Sequence, residues 1–392
     1  MKTWISYLIC AVAIILVTVG VVFVQAREIN VATIFPPQEA EVKFDIYEKI
    51  TEGIALLKSS PALQYETIDG RNESELKRRQ IALAILDTKS GKLQEVRVWA
   101  KESELESDQA MPFPIIVQWW NSFNSTYQIP NHPNLIVVAN KYLIPRSYLP
   151  EQSILELVAD APQSRYMDMV YVPYSKALHA PDVVSAGKEY INERVEEAYE
   201  ALWRLQVPSR ARPGALVADV ISQDLVKNIV LVEHIDPTWL ELADDGGKAL
   251  AERVLILIGA NREWAYRYTN SKADAYGLGQ FIEPTYNAMV ERYPTANLIT
   301  DRILGMADHT NAFKAMAILF DNEMAEIQTK AGVPATDEML SAAYNGGPGR
   351  VIRAVKEHGQ AWAESEIFPS ETSSYVKKYD MIKKLEIFNG IL

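Results

Sequence analysis

The chain has 392 residues, of which 48% are hydrophobic and 23% charged, a globular composition that excludes wholesale disorder and collagen-like structure. At ~150 residues per domain the length suggests two to three domains. Acidic residues outnumber basic ones by 51 to 39, giving a net charge of −12 with no strongly basic stretch, so no nucleic-acid partner is expected. Cys10 is the single cysteine, which excludes an intramolecular disulfide and a thiolate metal cluster. The histidines His132, His179, His234, His309 and His358 are scattered and form no HExxH or paired spacing. Neither a metal nor a cofactor is expected.

Lys2 precedes an apolar run from Trp4 to Val24, interrupted only by Ser6, Thr18 and Gly20. The run is long for a signal-peptide core and long enough to cross ~30 Å of hydrocarbon. Val24-Gln25-Ala26 also reads as a small-residue cleavage site. Residues 1–26 are therefore either a cleaved export signal or a retained membrane anchor through residues 4–24. On both readings the bulk of the chain is exported, with the periplasm as the expected compartment.

Residues 27–45, with Pro36-Pro37, read as a tether, and 46–58 carry helical spacing. The runs Ile81–Leu86 and Leu93–Trp99 flank Thr88-Lys-Ser-Gly-Lys92, a hairpin pattern. Leu135–Val138 and Met169–Val172 add short strands, 185–206 a helix, and Pro208–Pro213 a linker. Residues 27–213 thus form a mixed α/β unit without a catalytic signature. Its Trp119-Trp120 pair is either a sugar platform or, as paired aromatics more often are, core. From Ala215 onward strand signals vanish. Helices are predicted over 222–236, 247–262, 284–292, 311–330, 336–343, 348–358 and 373–387. The expected class is α+β, with a mainly helical unit over 214–392.

Four blocks of the helical half carry chemistry. In the helix capped by Ser222, a 100° step per residue places Glu233 about 80° from Leu225, in the middle of the sector held by Val226, Ile229, Val230 and Val232. A carboxyl in an apolar wall is disfavoured as an anion, so its pKa rises, as a general acid at neutral pH requires. A buried structural ion pair is the competing reading. The second block is Ser271-Lys-Ala-Asp274-Ala-Tyr-Gly277-Leu-Gly279-Gln280, whose glycines allow close backbone approach and whose glutamine both donates and accepts. The third is Ala342-Ala-Tyr344-Asn345-Gly346-Gly347-Pro348-Gly349, a helix corner. The fourth is Glu371-Thr372-Ser-Ser-Tyr375-Val376.

Taken in order, these blocks resemble the soluble-type lytic transglycosylases, relatives of goose-type lysozyme, over roughly residues 216–390. That family has a Glu ending a buried helix, a Gly-Leu-Met-Gln loop, an Ala-Tyr-Asn corner and a Glu-Thr-x-x-Tyr-Val segment. The resemblance implies a lysozyme-like fold for 214–392. It makes Glu233 the catalytic acid and Ser271, Gln280, Tyr344, Asn345 and Tyr375 the substrate-binding residues. Departures are His234 where the family has Ser, Asp274 for a glycine, Gly279 for a methionine and Gly346 for an alanine. The Glu233–Gln280 stretch is also longer than in the family and holds an extra helix over 237–268. Glu263, in Ala260-Asn-Arg-Glu263-Trp-Ala-Tyr266, is the alternative acid, since its distance to Ser271 is closer to the family's. The wheel favours Glu233, because Glu263 falls on the far side of its helix from Leu250, Val254 and Leu257. Asp236 reads as a helix-end residue, and Tyr266, Tyr268 and Tyr286 as candidate sugar-stacking rings, with core packing the expected role of at least one of them.

The activity implied is cleavage of the N-acetylmuramic acid to N-acetylglucosamine β-1,4 bond of peptidoglycan strands, with closure of a 1,6-anhydro ring. Two other outcomes stay open: a goose-type muramidase that releases reducing ends, and a degenerate fold that binds glycan as a scaffold without cutting.

Overall fold

The computed structural model describes residues 44–67, 76–101, 104–106, 113–119, 125–145 and 166–389. The apolar run 4–24, most of the tether and Trp120 lie outside the described residues. The elements below belong to one compact unit, Phe44–Thr88 with Lys92–Leu392.

The first helix, α1 (Ile46–Ser59), opens at Asp45, whose Oδ1 accepts from Glu48 N at 3.0 Å. There follow β1 (Tyr65–Thr67), β2 (Leu76–Asp87), β3 (Lys92–Lys101), β4 (Glu104–Glu106), β5 (Ile116–Trp119), β6 (Thr126–Gln128), β7 (Leu135–Pro145) and β8 (Tyr166–Tyr171). The main sheet runs β4-β3-β2-β7-β8 with β1 beside the start of β2, and every pairing is antiparallel. β5 and β6 pair separately. The expected hairpin is β2–β3, with Ile81 opposite Val98 and Leu86 opposite Leu93.

β2 reads as a continuous apolar run because both faces of the sheet are covered. Ala82, Ala84 and Leu86 face the core that holds Ile50 and Leu57 of α1. Ile81, Leu83 and Ile85 face a second cluster with Phe113, Ile129 and Tyr142.

Then come α2 (Pro181–Arg204), α3 (Val217–Val220), α4 (Gln223–Glu233), α5 (Pro237–Glu241), α6 (Lys248–Asn261), α7 (Glu283–Arg292), α8 (Arg302–Ala307), α9 (His309–Ala331), α10 (Asp337–Gly346), α11 (Pro348–His358) and α12 (Ser370–Lys384). The fold is mixed α+β with a mostly helical C-terminal half. Among the described residues no helix is long and apolar enough to cross a membrane.

The single helix expected over 222–236 ends at Glu233, and Asp236 caps a new helix by accepting from Thr238 N at 2.7 Å. The stretch 237–268, expected to add one helix, holds α5, α6 and a 3-10 turn at Arg262–Trp264.

Helix α2, grouped by sequence with the N-terminal unit, packs along α6 and α9 within one continuous core that reaches from α1 to α12. Its crossing with α6 is close enough that a Cβ on Gly187 would stand 2.1 Å from Leu255 O, and one on Gly259 2.6 Å from Gly187 N. Asn261 joins this layer to the sheet end: its Oδ1 accepts from Val172 N at 2.8 Å and its Nδ2 donates to Val172 O at 3.0 Å. Asp321 of α9, fully buried, accepts from Ser209 Oγ, Arg210 N and Tyr293 OH, which holds the 208–213 linker against the helices.

Candidate active site

Helix α4 is buried along nearly its whole length. Ser222 Oγ accepts from Asp224 N at 3.2 Å, and Leu225 through Val232 are all buried. Glu233 is its last residue, so its carboxyl emerges from packed helix into the floor of a cleft of about 1250 Å³. The cleft walls come from the α4–α5 corner, the 271–282 loop, α7, α9, the α10–α11 corner and the start of α12. Five of the six predicted site residues besides Glu263 were expected to surround Glu233, and Ser271, Gln280, Tyr344, Asn345 and Tyr375 all line this cleft with it.

The Tyr375 hydroxyl donates to Glu233 Oε1. Burial raises the Glu233 pKa to about 7, against the opposing pull of the Tyr375 hydrogen bond and the Lys378 ammonium. The side chain is half-buried, in keeping with a carboxyl that meets the protein behind and the cleft in front. Burial also holds the Tyr375 and Tyr344 hydroxyls well above their ordinary range, with the Glu233 charge adding to the effect, so both tyrosines remain donors at neutral pH.

His234 is not aimed at a substrate. Its ring stacks on Tyr266 with centroids 3.7 Å apart and planes 15° off parallel, and its Nε2–H donates to Leu278 O at 2.9 Å. Burial depresses its pKa to about 4, so the ring is neutral. It fastens the end of α4 to the glycine loop, which accounts for a large ring where the resembled family has serine.

In that loop Ser271 Oγ accepts from Ala273 N and Ala275 N, so its hydroxyl shapes the turn while the residue sits exposed at the cleft rim. A Cβ on Gly277 would lie 2.7 Å from Met306 O, and its φ is +71°. Asp274 and Gln280 take left-handed backbone at φ 58° and 48°. Asp274 tolerates this well, and Arg302 holds it by Nη1 to its carbonyl and Nη2 to Oδ2 at 2.9 Å. Gln280 tolerates it less well, and such strain concentrates where a side chain must be aimed. Its Nε2 donates to Gly277 O at 2.7 Å.

At the α10–α11 corner, the Tyr344 hydroxyl donates to Gly279 O, and Thr372 Oγ1 donates to Asn345 Oδ1 at 2.8 Å. A Cβ at Gly346 would meet Thr372 Oγ1 at 2.9 Å, so the glycine makes room for the residue that positions Asn345.

Glu263, the alternative acid, is exposed on the 3-10 turn after α6 and is not among the cleft-lining residues. Asp236 lines the cleft but is occupied as the α5 cap. None of Tyr266, Tyr268 and Tyr286 lines the cleft. Tyr286 is fully buried and donates to Ile299 O at 2.6 Å, a core role rather than a sugar platform.

Two cleft residues were missed. Lys378 is buried and donates from Nζ to Ile235 O at 2.7 Å, beside Glu233, Asp236 and Glu371. Glu323 of α9 is 3% exposed. It occupies one stripe with Met316, Leu319, Phe320 and Ile327, the same pattern of a carboxyl within an apolar sector that singled out Glu233.

No family model, curated protein or solved structure matches the chain. What the cleft can do is set by its own groups. A carboxyl titrating near neutrality can give a proton to a leaving oxygen and take one back, while Tyr375, Gln280 and Asn345 offer fixed polar atoms around it.

Proposed function

We propose that the chain is an exported peptidoglycan lytic transglycosylase, its residues 214–392 forming a lysozyme-like catalytic unit. The reading is supported above all by Glu233: a carboxyl raised to about 7 by burial, held by Tyr375, in a cleft of about 1250 Å³. The order of the four motif blocks, brought together around that one carboxyl, supports it further.

On this reading neutral Glu233 donates its proton to the glycosidic oxygen as the β-1,4 bond breaks. The substrate's N-acetyl group and the polar atoms of the cleft sustain the positive charge that develops on the muramyl ring. The resulting carboxylate then takes the proton of the muramyl 6-hydroxyl, whose oxygen bonds to C1 and closes the anhydro ring. Glu233 ends protonated, ready for the next bond. One group acting first as acid and then as base works best when its pKa lies near the ambient pH. Tyr375 sets the rotamer of the carboxyl, and Gln280, Tyr344 and Asn345 hold the sugar against it.

The test is mass analysis of wall digests with wild type, Glu233→Gln and Glu263→Gln. Anhydro-ended products from wild type and Glu263→Gln, absent with Glu233→Gln, support the proposal. Reducing ends make the enzyme a hydrolase, wall binding without products makes it a scaffold, and activity lost only with Glu263→Gln reverses the assignment of the acid.

A further inference from the structure

The α9 side of the cleft carries a second carboxyl that the mechanism above leaves idle. Glu323 is 3% exposed, lines the cleft, and its Oε2 meets no hydrogen-bond partner among the described residues. Buried polar atoms are almost always paired, so an unpartnered carboxyl in a cavity wall marks a place where a ligand atom can complete the set.

The neighbouring polar groups are engaged elsewhere. Arg292 of α7 donates to Asn322 Oδ1 at 3.1 Å and lies 3.6 Å from Glu326 Oε1. Lys330 pairs with Glu326 Oε2 at 2.7 Å. Tyr344 of α10 and Tyr375 of α12, which feel the Glu323 charge, direct their hydroxyls to Gly279 O and Glu233. Both cations of this wall therefore serve Glu326 and Asn322. Burial, with the Glu326 charge adding to it, holds the Glu323 carboxyl well above the usual range. It therefore meets the ligand as a neutral O–H donor.

The same wall presents apolar surface from Ala288, Met289 and Leu319. A donor beside a small apolar patch matches a carbonyl that carries a methyl group, whereas a carboxylate or phosphate would be buried there without a countercharge.

We propose that Glu323 is a specificity-determining residue of the cleft, donating its carboxyl O–H to the carbonyl oxygen of an acetamido group on a bound glycan. The inference rests on the reading of the cleft as a glycan site and assigns one of its walls.

The experiment measures calorimetric affinity in full-length protein carrying Glu233→Gln, which removes turnover. The probes are N-acetylated chitotetraose and cellotetraose, whose rings carry hydroxyls in place of acetamido groups. Glu323→Leu, compact and without a donor, is expected to weaken chitotetraose binding about tenfold and to leave cellotetraose within about twofold. Glu323→Gln, which keeps an N–H donor, retains chitotetraose affinity within about threefold. Affinity in the Glu323 parent falls as the pH rises and the carboxyl ionises, and in Glu323→Gln it stays level. Thermal unfolding of each variant reports whether it is folded, and the glutamine variant carries the pH comparison if the leucine variant is not.

The proposal is overturned if Glu323→Leu weakens both sugars alike or neither, if the two pH profiles coincide, or if chitotetraose fails to bind the parent. Glu323-dependent binding without anhydro products from wall would remove the transglycosylase reading and leave this one standing. Anhydro products with Glu323-independent binding would do the reverse.

Discussion

A carboxyl held neutral by burial opposes folding once the solution would rather ionise it. Replacing Glu233 with glutamine should therefore stabilise the protein, in a pH-dependent way. The folded-state pKa is raised from 4.5 to about 7. A group raised in the folded state contributes its full stability below the unfolded value. That contribution is lost as pH climbs through the interval, and the loss is complete above the folded value. At 1.36 kcal/mol per unit, the interval corresponds to about 3 kcal/mol above pH 7. Because the side chain keeps contact with cleft solvent, the expected gain is ~1–3 kcal/mol. Glutamine stays neutral, and its amide oxygen still accepts from Tyr375. The stability difference between Glu233→Gln and wild type should accordingly be near zero at pH 4, rise between pH 4.5 and 7, and plateau by pH 8. The ionisation of His234, depressed to about 4, is common to both proteins and cancels in the difference. Urea unfolding followed by fluorescence and circular dichroism across that pH range gives the curve. A difference that is flat with pH, or a variant less stable at pH 8 than at pH 4 relative to wild type, would refute the burial of this carboxyl.

On the proposed mechanism the same electrostatics govern the rate. Tyr375→Phe removes a hydrogen bond that favours the Glu233 carboxylate, so the alkaline limb of muropeptide release should move up by about one pH unit, with activity reduced about tenfold. Lys378→Met should move that limb in the same direction, because the ammonium also favours the carboxylate. It should also cost about 1 kcal/mol in urea unfolding, since Ile235 O loses its donor. Gly187→Ala places a methyl against Leu255 O at the α2–α6 crossing, where backbone cannot yield, and should lower stability by about 3 kcal/mol without altering the pH profile of the activity that remains.

The parts of this site that could be read in advance share one property: the signal is local. Glu233 stands among apolar residues of its own helix, and the glycines and prolines of the 271–284 and 345–349 segments mark corners at fixed positions. What escaped depends on partners distant in sequence. Lys378 reads as one more lysine on a charged helix until Ile235 O, just past the end of α4, is seen to receive it. Tyr286 resembles a surface ring beside a loop, yet Asn311 and Ile299 enclose its hydroxyl. The strand expected over 135–138 runs on to Pro145, because Asn140 and Lys141, which break the apolar run, are both buried, Lys141 against Asp168 at 3.1 Å and the carbonyls of Ser60 and Pro61. Glu323 is the exception. Its stripe on α9 was visible, but that helix carried no motif to draw attention to it.

The bond between Tyr375 and Glu233 joins residues on the fourth and the twelfth helix of the described fold, with every other wall of the cleft encoded between them. A polypeptide emerging N-terminus first exposes Glu233 long before Tyr375 exists to meet it. Until the chain folds around it, that glutamate is an ordinary acid, ionised at neutral pH. On the proposed function, an unfolded chain therefore has no general acid to offer, and the wall-cutting chemistry begins only once that carboxyl is buried.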